Sequence, residues 1–330
     1  MRLLFITQKL HGQDSFGIHW VREFRRQGFD VTVLCLEDLV SPLEFPVLSL
    51  GKEIGIGKVG QVIRFFRHIV TARYDRVFIH MSPVWGLLGA WWWVPCRIPV
   101  YLWYTHYKNS CSFRVTASFA KRLFCATSQS MPTYEGSPKK VVCGHGIDLS
   151  VWPKRENKSE DPRSLVAVHR LSRSKRVELL LRALTLLPGY RLDIFGIAAE
   201  PDYVAELKAL TKELGLDRRA AFHGTVPLHL LPQVYSMHRL ILNEASETID
   251  KTMLEAMTCG CYPVTTKRNA EAIGIPFAPE EDTPEAIAAF VTEHAERLPM
   301  NPEEMYNVVK ERHSLEGLVR KMGEYIRSGT

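Results

Sequence analysis

Two carboxylates eight positions apart, Glu247 and Glu255, are the first candidates for chemistry in this chain. They lie within the stretch NEASETIDKTMLEAMTCGCYPVTT, residues 243–266. Carboxylates accept hydrogen bonds from sugar hydroxyls, and the free N–H groups at a helix start suit a phosphate. Asp250, Lys251 and Thr252 stand between the two acids, where such a helix would begin. Asp250 suits the N-cap position, because a short acidic side chain can accept from the first turn. Upstream, Arg170 and Lys175 bracket the loop residues Leu171–Ser174. A lysine at a helix start runs against the helix dipole, and an anion bound there would relieve it. In the N-terminal half, Gly12 lies in a loop after the first apolar run, and His106 follows another such run.

The elements that must hold these residues follow from periodicity. Leu240–Leu242 closes a strand, and Lys251–Thr258 has helical spacing with Met253, Leu254 and Met257 on one side. Gly260 ends that helix and Tyr262–Thr265 begins the next strand. The same alternation starts at the N-terminus. Arg2–Thr7 is a compact apolar run, residues 17–28 read as a helix, and Asp30–Leu36 as a second strand. That is the opening of a doubly wound α/β domain, in which ligands bind at the C-terminal ends of the strands. Helices are expected over 59–72 and 85–93, and strands over 76–80, 100–103, 122–126 and 139–143. Beyond a polar stretch at 153–163 a second unit is expected. Its strands are at 165–169, 191–195, 220–223 and 239–242, and its helices run up to 186 and over 203–214, 228–235, 283–294, 302–312 and 314–326.

Glu247-x7-Glu255, followed by Ala256-Met257-x-Cys259-Gly260 and a Pro-Val strand start, resembles the retaining glycosyltransferases of family four. Arg170-Leu-x-x-x-Lys175, the Ala220–Gly224 segment and Gly144-His-Gly-Ile-Asp148 resemble other segments of that family. The resemblance implies α/β architecture of the GT-B type, with two Rossmann-like doubly wound domains facing a cleft. An acceptor-side domain would span 1–150 and be joined by a C-terminal helix at 314–328. A linker would occupy 151–163, and a nucleotide-sugar domain 164–313. It further implies transfer of a hexose-type sugar from a nucleotide-diphosphate sugar to a glycan or lipid-linked acceptor, with no metal or other cofactor. Arg170 and Lys175 would hold the diphosphate, Glu255 the ribose and Glu247 the sugar, with His106 near the reacting sugar. Gly12, Asp250, Lys251 and Thr252 would line the donor site. The chain departs from the family where Thr248-Ile249-Asp250 replaces Gly-aromatic-Gly, which puts a negative charge where the pyrophosphate is expected. Two other readings share the scaffold: a non-catalytic nucleotide-sugar-binding protein, which the Thr-Ile-Asp loop favours, and a GT-B epimerase.

Composition agrees with an ordinary folded protein of two domains: 330 residues, 46% apolar and 24% charged. The net charge of +6 is uneven. Residues 1–150 carry 18 Lys/Arg against 10 Asp/Glu, and residues 151–330 carry 24 against 26. A basic N-terminal half suggests an anionic partner: a lipid surface, a phosphorylated acceptor or nucleic acid. With the resemblance in view, nucleic acid is not expected. Trp91-Trp92-Trp93 cannot all face inward on one helix. Together with the basic helix bearing Arg64 and Arg67, and with Arg73 just beyond it, the triplet suggests peripheral contact with a membrane. Seven cysteines lack zinc or Cys-x-x-Cys spacing, and Met1-Arg2 leads directly into a strand. Both features point to a cytoplasmic protein, peripheral at the inner face of the membrane if that contact exists.

Overall fold

The computed structural model describes residues 1–12, 16–106, 109–246 and 249–329. The chain divides into two compact units, Met1–Gly146 with Leu315–Thr330, and Ile147–Ser314.

In unit 1 the apolar runs form strands β1 (Arg2–Leu10), β2 (Asp30–Asp38), β3 (Val47–Ser49), β4 (Arg76–His80), β5 (Val100–Trp103), β6 (Arg122–Cys125) and β7 (Lys140–Val142). They make one parallel sheet in the order β3-β2-β1-β4-β5-β6-β7. Helices α1 (Phe16–Arg26), α2 (Lys58–Thr71), α3 (Pro83–Trp93) and α4 (Cys111–Phe119) cross between strands. Side chains alternate along β1. Leu3 and Phe5 pack with Trp20 and Phe24 of α1 and with Leu318 and Met322 of the C-terminal helix Leu315–Ser328. Leu4 and Ile6 pack with Phe65, Trp93 and Phe113 on the opposite face. Burial on both faces is why these strands read as continuous apolar runs.

Unit 2 has β8 (Ser164–Val168), β9 (Arg191–Phe195), β10 (Ala220–Gly224), β11 (Leu240–Asn243) and β12 (Tyr262–Thr265), parallel in the order β10-β9-β8-β11-β12. Its helices are α5 (Val177–Thr185), α6 (Pro201–Glu213), α7 (Leu231–Ser236), α8 (Lys251–Thr258), α9 (Lys267–Ile273), α10 (Pro284–His294) and α11 (Pro302–Val308). Side-chain caps fix several starts. Thr283 accepts from the Ala286 N–H, and Asn301 and Glu304 cap one another's backbone.

The structure corrects the sequence reading at several points. β3, α4 and α9 were not expected. β3 is a three-residue, half-buried edge strand, too short to carry a period. α4 and α9 are short and begin at capping residues, Ser110 and Thr266, in polar surroundings. The helix expected over 228–235 splits into a 3₁₀ turn and α7, and that over 302–312 into α11 and a π-helical turn. The polar stretch expected as a linker runs along unit 2. Asn157 donates to the carbonyls of His238 and Gly260, and the Lys158 N–H donates to Ser236. Of the three tryptophans, Trp93 is buried, Trp92 half-buried and Trp91 half-exposed.

Candidate functional site

At the C-terminal end of the unit 2 sheet, the segment after β8 meets the segment after β11. β8 and β11 are neighbours in the sheet, so the loops they feed emerge side by side. The first loop runs close to the end of β9. A Cβ on Gly196 would lie 1.7 Å from the His169 carbonyl oxygen, so glycine there is a steric requirement. The first loop then makes a 3₁₀ turn, Arg173–Lys175, and Arg176 enters α5 in the left-handed region at φ 49°.

Three links clamp the two loops together. The Ser246 N–H donates to the Ser174 carbonyl at 3.1 Å. Arg176 Nε donates to the Glu244 carbonyl at 2.8 Å while Nη2 reaches Asp282 Oδ2 at 2.9 Å. The third is the centre of the site. Lys175 Nζ, on a buried side chain, lies 2.6 Å from Asp250 Oδ1, and Asn243 Nδ2 donates to Asp250 Oδ2 at 2.9 Å. Asp250 therefore occupies the N-cap position of α8 without capping it by its side chain. This corrects the expectation drawn from residue type. The carboxylate is claimed by a buried ammonium, and a charge-assisted bond outweighs a neutral capping bond.

The electrostatics of the site are those of groups withdrawn from water. Burial pushes the His169 imidazole down to about 4, so the ring is neutral at pH 7. It feels the charges of both Asp250 and Lys175, and both ring nitrogens are buried. Burial pushes the Glu244 carboxyl up to about 8, reinforced by Asp282 and opposed by Arg176, whose Nη2 lies 3.6 Å away. Both Glu244 oxygens are buried without a hydrogen bond. Lys251 and Glu255, one helical turn apart on α8, keep some surface, yet their charged ends are desolvated. That drives the lysine pKa down and the glutamate pKa up, against their mutual attraction. Thr252 Oγ1 is buried and unpartnered.

Of the expected residues, Lys175, Asp250, Lys251, Thr252 and Glu255 come together on these two segments. Arg170 is exposed on the first of them. Glu247 lies outside the described residues, as do Thr248 and Lys108. Gly12 and His106 belong to unit 1, where they follow β1 and β5. Gly12 has φ 62° with open space around it, and exposed His106 packs its ring 5.3 Å from that of Tyr104. Sequence reasoning missed Asn243, Glu244, Arg176 and Asp282. Only Glu244 carried a signal, an acid immediately after a buried strand. Among the described residues no group of three His, Cys, Asp or Glu side chains is placed to hold a metal ion.

Comparison with solved structures identifies the architecture. HepE (Alr3699) of Anabaena, solved with UDP and glucose, superposes with a TM-score of 0.77 at 19% identity, covering 99% of this chain and 100% of that one. Sucrose-phosphate synthase of Thermosynechococcus elongatus gives 0.77 at 15% identity, covering 99% and 98%. The fold is GT-B. A third GT-B structure, the apo form of the lipopolysaccharide outer core galactosyltransferase WaaB, gives 0.74 at 15% identity over the whole of both chains. The family model described as "Glycosyl transferases group 1" matches residues 150–272, which contain both segments of the site in unit 2. No curated protein sequence matches the chain.

Proposed function

We propose that this GT-B protein is a retaining glycosyltransferase that moves a hexose from a nucleotide-diphosphate sugar to a glycan or lipid-linked acceptor. The observation that carries the reading is the convergence of Arg170, Lys175 and the start of α8 at one end of the unit 2 sheet, within the segment matched by the glycosyltransferase family model. Departure of a nucleoside diphosphate leaves negative charge on its phosphate oxygens. Cations and helix N–H groups already in place stabilise that charge without reorganising. Lys175 is suited to this because it is buried, where an ammonium acts through a lower dielectric. Arg170 offers a planar guanidinium from the exposed side. With these two cations on the diphosphate, the reaction needs no metal ion. Glu255 accepts from the ribose hydroxyls and Glu247 from the sugar.

UDP-glucose is the first donor to try, since HepE is solved with that compound. The test is to supply UDP-glucose and other nucleotide-diphosphate hexoses in the presence of a chelator. Nucleotide release is followed, and the anomeric configuration of the product is read by NMR. The proposal expects an α-linked product from an α-linked donor, and loss of release in Arg170→Ala/Lys175→Ala. An inverted product, or release unaffected by the double substitution, would contradict it.

One observation favours the non-catalytic alternative. Lys175, which the reaction needs for phosphate, is already neutralised by Asp250. A protein that binds a nucleotide sugar and releases no nucleotide would fit that reading.

A further inference from the structure

The solvent side of α2 and α3 is built unlike an ordinary surface. On α2 the inward positions are Phe65 and Ile69, and the outward ridge is again apolar: Val59, Ile63 and Val70 are 76%, 62% and 44% exposed. On α3 the outward positions Leu87 and Trp91, followed by Val94 at the helix end, are 39%, 52% and 51% exposed. α3, PVWGLLGAWWW, carries no charged side chain, and a helix apolar on all sides belongs inside a protein or against lipid. The two ridges are joined, because the Phe66 ring of α2 meets the Trp91 ring of α3 edge-on at 5.6 Å. Contiguous apolar exposure of this kind marks an interaction surface.

The charges around it have one sign. From residue 54 to residue 134 the sequence has ten Lys/Arg and a single acid, Asp75, and that acid is bound by Arg2 at 2.6 Å. Lys58 and Arg67 on α2, Arg73 beyond its end, Arg97 after α3 and Arg114 on α4 are exposed. A second copy of the same face would bring like charges together, whereas anionic headgroups would neutralise them. An exposed apolar ridge on two helices that between them carry cations and no acid matches a bilayer with anionic headgroups. Side chains such as Trp91 and Ile63 enter the acyl boundary, and the cations meet the phosphates. No described helix is long and apolar enough to cross a membrane, so the contact is a peripheral one.

We infer that the α2–α3 face of unit 1 docks on an anionic lipid surface, with the two helices lying in the plane of the headgroups. This holds whether or not unit 2 transfers a sugar. The test uses the full chain and sedimentation with vesicles of phosphatidylcholine, with and without phosphatidylglycerol, at low and high salt. The expected result is binding that requires phosphatidylglycerol and weakens with salt. Arg67→Ala/Arg73→Ala should weaken it by about tenfold or more. Ile63→Glu/Trp91→Glu should abolish it while leaving the circular dichroism spectrum and unfolding midpoint unchanged. Equal binding to neutral vesicles, or retention of binding in the glutamate variant, would overturn the inference. So would a concentration-dependent dimer that the glutamate variant dissolves and that shows no vesicle binding, because the face would then belong to a second copy of the chain.

Discussion

Units 1 and 2 share a parallel doubly wound design and place their polar groups in opposite ways. In unit 1 the core is aromatic. Phe78 packs against the rings of both Phe5 at 5.3 Å and Phe24 at 5.4 Å, with Trp20 and Phe124 a little farther off, and the basic side chains Lys58 and Arg67 of α2 stand at the surface beside exposed apolar ones. In unit 2 the core is mostly aliphatic, and a charged pair is drawn inside at the sheet end, Lys175 against Asp250, beside the more open Arg176, which bridges Asp282 and the Glu244 carbonyl. Buried pairs contribute little net stability, because desolvation offsets their attraction, but they fix geometry. The comparison teaches how one scaffold distributes charge: unit 2 fixes it at one end of its sheet, and unit 1 displays it over an area.

The largest effect expected is on the aromatic core. Phe78→Ala should destabilise unit 1 by about 3–5 kcal/mol. Urea unfolding followed by tryptophan fluorescence reads this directly, since every tryptophan except Trp152 is in unit 1. An unchanged midpoint would break the contrast at once.

Next comes the buried acid of unit 2. The folded-state pKa of Glu244 is raised to about 8, so the folded protein holds a proton that the unfolded chain releases near 4.5. Its favourable contribution is complete below the lower value and is lost as pH rises through the upper one. Glu244→Gln should therefore raise stability near pH 8 by on the order of 1–3 kcal/mol and flatten the decline from about pH 5. Chemical unfolding of both proteins across that range is the check, and parallel curves would show that Glu244 is ionised in the fold.

A smaller change would sharpen the account of the site. Asp250→Asn keeps the shape and frees Lys175 from its counter-ion, and should tighten binding of a nucleoside diphosphate by about tenfold. Weaker binding, measured by calorimetry, would mean that Asp250 holds Lys175 in its working position. The smallest effect is expected at the surface. Arg173 makes a two-pronged pair with Glu206 while both side chains remain more than half exposed. Arg173→Ala should leave the thermal midpoint unchanged.

How far this was legible in the sequence depends on the distance over which each feature is encoded. The bounds of β4, β5, β9, α8 and β12 can be read from local runs such as Arg191–Phe195 and from the stop at Gly260, because burial on both faces leaves an apolar run between turn residues. Repeating that pattern twice gives two doubly wound units, and the resemblance carried by Glu247-x7-Glu255 and Arg170-Leu-x-x-x-Lys175 is what implied GT-B. β3 was not legible, since three half-buried edge residues carry no period. In the site, Lys175 and Asp250 each stood out by type and place, yet their pairing joins residues 75 positions apart, and nothing local distinguishes a capping aspartate from one claimed by a distant lysine. Glu244 stood out only as an acid immediately after a buried strand. Its character comes from burial beside Arg176 and Asp282, which only the folded chain brings about.

The central claim is that the end of the unit 2 sheet holds the phosphates of a nucleotide through Arg170 and Lys175. Isothermal titration of the purified chain with UDP and with GDP, first without metal and then with magnesium, tests it most directly when run beside Arg170→Ala/Lys175→Ala. The account predicts that one nucleotide binds without metal and that the double substitution weakens it by about a hundredfold or more. Failure of both nucleotides to bind, or equal binding by the variant, would contradict it.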